Sequence, residues 1–136
     1  MCPRSIKDAA LQNSRALPNG AATVYSTGID LGLTSRSDFV AGCELLIEAP
    51  AIVVGNLADA ATMKWSIEHD TDPAFGTTTP LETDALTQTG AGGAGAAAAS
   101  ARVGLPSDVK RYVRLKGVKS GAGDASATSA TLSLVF

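Results

Sequence analysis

The chain has 136 residues, a formal net charge of −2 at pH 7 and 45% hydrophobic residues, but only 4% aromatic residues. This length predicts one domain around one thin core of small side chains. No apolar run approaches the roughly 20 residues of a membrane-spanning helix, and residues 1–8 lack the apolar stretch of a signal peptide, so we expect cytoplasmic synthesis and no membrane contact. A pI near 5.2 and few aromatic side chains argue against a nucleic-acid partner.

The first residues differ in pattern from the rest of the chain. Residues 1–18 are polar and end at Pro18, which predicts an extended N-terminal arm. Within this arm, residues 9–11 have the composition of a short helical turn. Residues 19–136 are then expected to form the folded domain.

Short segments rich in strand-forming residues follow the arm. Thr, Val and Tyr in residues 21–31 favour a strand. Two strands are expected next, at 43–48 and 51–55, or one longer strand bent at Pro50. Apolar residues alternate in the first of these, so its inward-facing side chains would be Cys43, Leu45 and Ile47.

The middle of the chain holds the clearest strand, at residues 62–70. One face would carry Met63, Trp65, Ile67 and His69. The acidic run after it, Asp70-Thr71-Asp72-Pro73, predicts an Asx turn in which an Asp side chain accepts backbone N–H groups. The Gly/Ala tract from Gly90 to Ala101 predicts a mobile loop at 90–95 and a weak strand at 97–103.

Two alternating segments end the chain. In residues 105–116 the apolar and basic side chains fall on opposite faces, and in residues 127–136 the apolar face is formed by Ala130, Leu132, Leu134 and Phe136. We predict that they pair as a hairpin closing a small sandwich. The fold class is therefore all-β: a single-domain, jelly-roll-like antiparallel β-sandwich with an extended N-terminal arm. Alternation places Tyr112 on the basic outer face, whereas a bulge at residues 110–111 would turn it into the core.

No arrangement of residues predicts catalysis or metal binding. Asp70 and Asp72 lack the further acidic positions and the glycine of a calcium loop. His69, the one histidine, is expected to be a buried strand residue rather than a general base. Glu68 and Glu82 have no spacing that brings them together as a hydrolase pair.

Other chemical classes are equally unsupported. The glycines of the Gly/Ala tract lack the Gly-Lys-Ser/Thr ending of a phosphate loop. Two cysteines, Cys2 and Cys43, do not make a disulfide framework. We predict that the protein is not an enzyme and binds neither a metal nor a cofactor.

Charge is distributed unevenly along the chain. Residues 38–101 carry nine acidic groups and one basic group, Lys64, whereas residues 102–136 carry six basic and two acidic groups. We expect acidic and basic strands to lie side by side and to pair across a sheet. The alternative is a positive patch that meets an acidic partner.

Several strand-and-turn phrases resemble a known family. They are Thr27-Gly-Ile-Asp-Leu-Gly32, Asp70-Thr-Asp-Pro-Ala-Phe75, Leu105-Pro106 and Lys110-Arg-Tyr-Val-Arg-Leu115, followed by the final alternating strand. In this order they look like the capsid cement, or decoration, proteins of tailed bacteriophages, in particular the jelly-roll type of Bordetella short-tailed phages. The resemblance covers nearly the whole chain from Ala21 onward.

This resemblance implies a function in the virion. Such a protein binds the outer surface of an assembled capsid and stabilises it by bridging neighbouring major capsid protein subunits, as a homodimer or a trimer. The residues expected at the contacts are the arm residues Arg4, Ile6 and Lys7, the strand residues Arg111, Tyr112, Arg114 and Lys116, and the Gly/Ala loop.

Two alternatives from other classes remain open. One is a carbohydrate-binding β-sandwich of a phage tail or adhesin, which would need an exposed aromatic platform. The other is a hydrolase or lyase on a jelly-roll scaffold, which would need clustered His and carboxylate groups in a cavity.

Overall fold

The chain forms two antiparallel sheets. A computed structural model describes residues 7–32 and 43–135, with side chains from residue 11 onward, and within these ranges it contains nine strands and no helix. The strands are β1 (Lys7–Ala16), β2 (Thr23–Tyr25), β3 (Ile29–Asp30), β4 (Glu44–Ala49), β5 (Thr62–Asp70), β6 (Thr79–Thr89), β7 (Ala99–Gly104), β8 (Tyr112–Lys119) and β9 (Ser129–Val135). Accordingly, no helix in the described part of the chain is long and apolar enough to cross a membrane.

Each sheet combines strands that are distant in sequence. The first sheet has the order β1-β9-β4-β7; the second has the order β2-β8-β5-β6, with β3 also paired to β8. The predicted all-β antiparallel sandwich is confirmed.

The core lies between the sheets and is centred on Trp65, which is fully buried. The inward faces of β4, β5, β8 and β9 supply much of its apolar lining, as their alternating sequences predict. Gly117 makes room for the indole, since a Cβ at this position would lie 2.5 Å from Trp65 Cζ3. The Trp65 indole N–H donates to Gln88 Oε1, so its polar atom has a partner inside the sandwich.

The predicted C-terminal hairpin is wrong. The basic strand β8 lies in one sheet and the final strand β9 lies in the other, so they face each other across the core. Period-2 alternation shows that each of these strands has one buried face. Such a face is equally compatible with two strands paired in one sheet and with two strands that pack against each other from opposite sheets. Lys119 stabilises the connection, because its Nζ donates to the carbonyls of Gly121 and Gly123.

Part of the segment predicted as an arm is a strand of the sandwich. Residues 7–16 form β1, which pairs with β9, and the short helical turn at 9–11 is absent. Asn13 ties this edge to the second sheet by donating to the carbonyls of Thr27 and Gly28. A polar sequence is compatible with an edge strand, which has one free side, and this is why composition alone suggested an arm.

Two other predicted strands differ from the structure. The segment 21–31 is divided into β2 and β3. At the break, the backbone N–H of Ser26 donates to the Leu115 carbonyl, and the backbone N–H of Leu115 donates to the Ser26 hydroxyl oxygen. Residues 51–55 form no strand; Ile52 pairs with Ala96 in an isolated bridge, and a turn follows.

The Gly/Ala tract packs closely against residues 52–58. Cβ atoms added at Gly90 and Gly95 would collide with the backbone carbonyl oxygens of Ala58 and Ile52. Glycine is therefore required here for close approach of two backbones. The predicted strand is present as β7, starting two residues later than expected.

Replacing Gly95 by alanine should destabilise the protein much more than replacing Gly92. Both glycines have positive φ, 74° and 62°, but nothing lies within 4 Å of a Cβ at Gly92. Gly92→Ala therefore measures the backbone strain alone, and we expect Gly95→Ala to cost roughly 1–3 kcal/mol more because of overpacking. Urea unfolding of both variants measures this difference. Equal losses would show that the tract is not packed on residues 52–58.

Candidate functional site

Two of the residues predicted as contacts meet on the outer face of the second sheet, the side that points away from the core. Arg114 and Lys116 lie on this face of β8, opposite Glu68 of β5 and Tyr25 of β2. Phe75 reaches the same place from the loop after β5. We call Tyr25, Glu68, Phe75, Arg114 and Lys116 the Arg114 cluster.

An ion pair shielded from solvent forms the centre of the cluster. Arg114 donates from Nε and Nη2 to Glu68 Oε2, at 3.0 and 2.8 Å. The Lys116 Nζ is 3.5 Å from the other carboxylate oxygen. The Glu68 and Arg114 side chains are only 11% and 17% exposed. Two cations thus share one carboxylate, which leaves this cluster with an excess of positive charge.

The Arg114 guanidinium also contacts two aromatic rings. Its central carbon is 4.1 Å from the Tyr25 ring centroid and 4.5 Å from that of Phe75, which is cation–π geometry. Gly28 allows Phe75 this position, because a Cβ there would be 2.7 Å from Phe75 Cε2. The cluster is therefore held in one arrangement before any partner binds, while Tyr25 stays 41% exposed.

The loop that carries Phe75 is organised by two aspartates. Asp70 accepts the backbone N–H groups of Asp72 and Thr77, and Asp72 Oδ1 accepts that of Ala74. This confirms the predicted Asx turn. Phe75 has a φ of 53°, an unusual value for a residue with a side chain.

The same backbone donors determine the ionisation of Asp70. Burial raises the pKa of its carboxyl, but hydrogen bonds from the N–H groups of Asp72, Thr77 and Thr71, together with the Lys110 charge, outweigh burial and hold the pKa below 3.8. Asp70 is consequently a charged anchor for the loop.

His69 is buried, as predicted, with 7% of its surface exposed. Its Nδ1 accepts the backbone N–H of Lys110 at 3.2 Å. Burial and, next, the Lys110 charge lower the pKa of His69, against the opposing effect of Asp108 and Asp70. This ring nitrogen serves the fold in its unprotonated form.

Acidic and basic strands pair across the sheets, as the charge pattern predicted. Apart from the Arg114 cluster, the described residues include the pairs Lys64–Asp84, Arg102–Glu44 and Arg111–Asp30. Arg111 binds Asp30 through two nitrogens, which lowers the pKa of this carboxyl together with the Gly32 N–H. The charges of Arg102 and Arg111 are therefore neutralised within the protein.

The remaining predicted contact residues are not part of the Arg114 cluster. Tyr112 is half-buried on the outer face of β8, beside Arg111, with its ring 5.3 Å from the Arg111 guanidinium. The strand has no bulge at this point, so alternation gives its correct orientation. Arg4 and Ile6 lie outside the described residues, and Lys7 is the first residue of β1.

Sequence reasoning did not find Tyr25, Glu68 and Phe75 as members of this cluster. Register decides that Glu68 stands opposite Arg114, and register between distant strands is not visible in one sequence. The Asp70–Phe75 phrase was the one available signal, because it predicts a turn directly after β5.

Further observations concern a carbohydrate platform, a metal site and Cys43. Trp65 is fully buried, which removes it from any carbohydrate platform. Among residues 7–32 and 43–135, no group of three or more His, Cys, Asp or Glu side chains is placed to hold a metal ion. Cys43 is half-buried and packs against the core.

Comparisons with known proteins add little. No protein-family model matches the chain, and no curated protein matches it in sequence. Among solved structures, a chain from the structure of infectious bursal disease virus, Gt strain, aligns with 91% of this chain at 13% identity and a TM-score of 0.36. The alignment spans 27% of that viral chain.

Removing Arg114 should destabilise the fold more than removing Arg111. Arg114→Ala leaves Glu68 buried with only the longer Lys116 contact, and we expect a loss of about 2–3 kcal/mol in the free energy of unfolding. Arg111→Ala is the matched control, because it removes an exposed pair of similar geometry and should have little effect. Chemical denaturation measures both. Similar losses in the two variants would contradict the central role of the buried pair.

Stability should fall as His69 becomes protonated. Its folded pKa lies below the ordinary value of 6.5, so the unfolded chain binds the proton more readily. The contribution is fully present above pH 6.5 and is lost as the pH falls through the folded pKa. In His69→Asn the amide can accept the Lys110 N–H without titrating, so the loss just below pH 6.5 should disappear. Unfolding curves of both proteins from pH 8 to 5 test this, and parallel curves would contradict it.

Proposed function

We propose that this protein is a structural virion protein that binds the outer surface of an assembled tailed-phage capsid. In this role it stabilises the shell by bridging neighbouring major capsid protein subunits, and it performs no catalysis. The observation that carries the proposal is the Arg114 cluster, a preformed cationic and aromatic surface.

The composition of the cluster suits a protein partner. Arginine and tyrosine are enriched among the residues that dominate protein–protein binding energies. Because Glu68 and the Phe75 loop already fix Arg114, little side-chain freedom is lost when a partner binds. The excess cation at Lys116 favours an acidic region on the capsid protein.

The resemblance to cement proteins supports the same surface. Three of the phrases that carry it contribute to the Arg114 cluster: 70–75 supplies Phe75, 110–115 supplies Arg114, and 27–32 supplies Gly28, against which Phe75 packs. These phrases are far apart in sequence, so their convergence is a property of the fold.

Bridging requires more than one contact per assembly. We propose a homodimer, in which each copy presents its Arg114 cluster to a different capsid subunit. Linking two modest contacts in this way gives a tight overall attachment through effective concentration. A protein made in the host cytoplasm can then add to shells that are already assembled.

Removing exposed parts of the cluster should weaken attachment to shells. We expect Tyr25→Ala/Lys116→Ala to lower the number of copies bound per shell at subsaturating protein by at least about tenfold, because both residues reach the surface while Arg114 and Glu68 stay paired. The measurement is co-sedimentation with emptied heads of the parent phage across a salt series, in which binding should weaken as salt rises.

Arg102→Ala is the control for this experiment. It removes an exposed cation of the other sheet, which is paired with Glu44, and should leave occupancy unchanged. If Tyr25→Ala/Lys116→Ala leaves the number of copies bound per shell unchanged, a surface other than the Arg114 cluster contacts the capsid. No sedimentation of the wild type at any salt concentration would overturn the capsid proposal, and glycan binding through Tyr25 would then favour the carbohydrate-binding alternative.

A further inference from the structure

The ammonium group of Lys116 differs from those of the other lysines with described side chains, within residues 11–32 and 43–135. Those others donate hydrogen bonds to protein oxygens: Lys64 to Asp84, Lys110 to Thr79, and Lys119 to two backbone carbonyls. Lys116 Nζ instead lies 3.5 Å from Glu68 Oε1. This exceeds the about 2.7–3.2 Å of an ordinary N–H···O hydrogen bond. The Lys116 N–H groups therefore lack a hydrogen-bond acceptor within the described residues.

The ion pair at the centre of the Arg114 cluster does not need Lys116. Arg114 donates twice to Glu68 Oε2 and compensates the charge of this carboxylate. The guanidinium also contacts the rings of Tyr25 and Phe75, and the Arg114 side chain is only 17% exposed. Arg114 is thus fully used within the protein. The uncompensated positive charge of the cluster lies at Lys116, which is 33% exposed.

Polar and apolar groups lie together around the Lys116 ammonium. Tyr25 stands directly opposite Lys116 in the pairing of β2 with β8, and its hydroxyl group has no hydrogen-bond partner in the described part of the chain. Val118, two residues further along β8, is 38% exposed on the same outer face. Two unused donors therefore stand beside an aromatic ring and an aliphatic side chain. Covering these apolar neighbours would exclude water and strengthen an electrostatic contact at the ammonium.

The chemistry of these groups indicates a carboxylate carried by a protein. Carboxylate oxygens accept hydrogen bonds from an ammonium and a hydroxyl group, and one negative charge matches one uncompensated cation. A nucleic acid needs a series of cations along its phosphates. The nearest further lysine on this face, Lys64, is already paired with Asp84. An acidic side chain flanked by apolar residues would complement Tyr25 and Val118 as well as Lys116.

We propose that Lys116 and Tyr25 bind an Asp or Glu carboxylate of the capsid protein, while Arg114 stays paired with Glu68 and does not contact the partner. This inference rests on the proposed function and names the chemical group that the Arg114 cluster recognises. Lys116 is then the residue that determines specificity for an acidic partner. Arg114 contributes by compensating Glu68, so that the ammonium is available to the incoming carboxylate.

The test begins with the purified full chain in the absence of capsids. Two capped peptides, Ala-Val-Glu-Val-Ala and Ala-Val-Gln-Val-Ala, are titrated at low ionic strength and followed by backbone-amide NMR. We expect the glutamate peptide to give saturable shifts centred on Tyr25 and Lys116, with a dissociation constant at least about tenfold below that of the glutamine peptide. Galacturonic acid, a carboxylate carried by a sugar, should bind more weakly than the glutamate peptide because it lacks the apolar neighbours.

Single substitutions assign the contact. Lys116→Gln should raise the dissociation constant of the glutamate peptide at least about tenfold. Tyr25→Phe keeps the ring over Arg114 and removes the hydroxyl group, and it should raise the constant about threefold or more. Lys64→Gln is the matched control, because Lys64 is the more exposed lysine of the same face, at 43%, but is already paired with Asp84. It should change the constant by less than about twofold.

The opposite results would overturn the inference. They are the absence of saturable binding of the glutamate peptide, equally tight binding of the glutamine peptide, tighter binding of galacturonic acid, and equal effects of Lys116→Gln and Lys64→Gln. Co-sedimentation of the same variants with emptied heads separates this inference from the proposed function. Shells that bind the wild type and Lys116→Gln equally well would overturn the contact at Lys116 and leave capsid attachment standing. A wild type that binds the glutamate peptide but no shell would overturn the capsid as the partner and leave the carboxylate site standing.

Discussion

The need to compensate two carboxylates buried on β5 organises one whole side of the molecule. Glu68 and Asp70 point away from the core, yet they are only 8% and 3% exposed. A buried carboxylate is costly unless it is paired or hydrogen-bonded. Glu68 pairs with Arg114 and Lys116 of β8, and the Asp70 carboxylate accepts hydrogen bonds from backbone N–H groups of the loop that follows.

The ion pairs of Glu68 and the hydrogen bonds of Asp70 also create the surface that we propose for binding. Holding Arg114 on Glu68 brings its guanidinium against Tyr25, and folding the loop around Asp70 brings Phe75 to the same guanidinium. A positive φ at Phe75 indicates that the loop accepts some backbone strain to place this ring. Stability and the proposed function therefore depend on the same contacts, so a substitution at the centre of the cluster changes both.

Much of the fold follows from sequence, because burial imposes a period of two on strands. That pattern predicted β5 and the inward faces of β4, β8 and β9, and the Asx signal predicted the turn at Asp70. What it did not contain was the partner of each strand. The predicted hairpin between β8 and β9 is a contact across the core, and the segment predicted as an arm contains the polar edge strand β1.

The candidate site was predictable to the same degree. Arg114 and Lys116 were identified by their alternation, and their neutralisation by acidic strands was expected. Their arrangement with Tyr25 and Phe75 depends on the register of β2 and β8 and on a loop, which are set by tertiary packing. The close packing of the Gly/Ala tract was not predicted for a related reason, since low-complexity Gly/Ala sequence resembles a linker and only the structure shows its glycines against another backbone.

The most direct test of the account is a cryo-electron microscopy reconstruction of phage shells decorated with this protein. The account predicts that the outer face of β8 and β2, with Tyr25 and Lys116, contacts the capsid. A map in which the outer face of β8 and β2 points into solvent would contradict it.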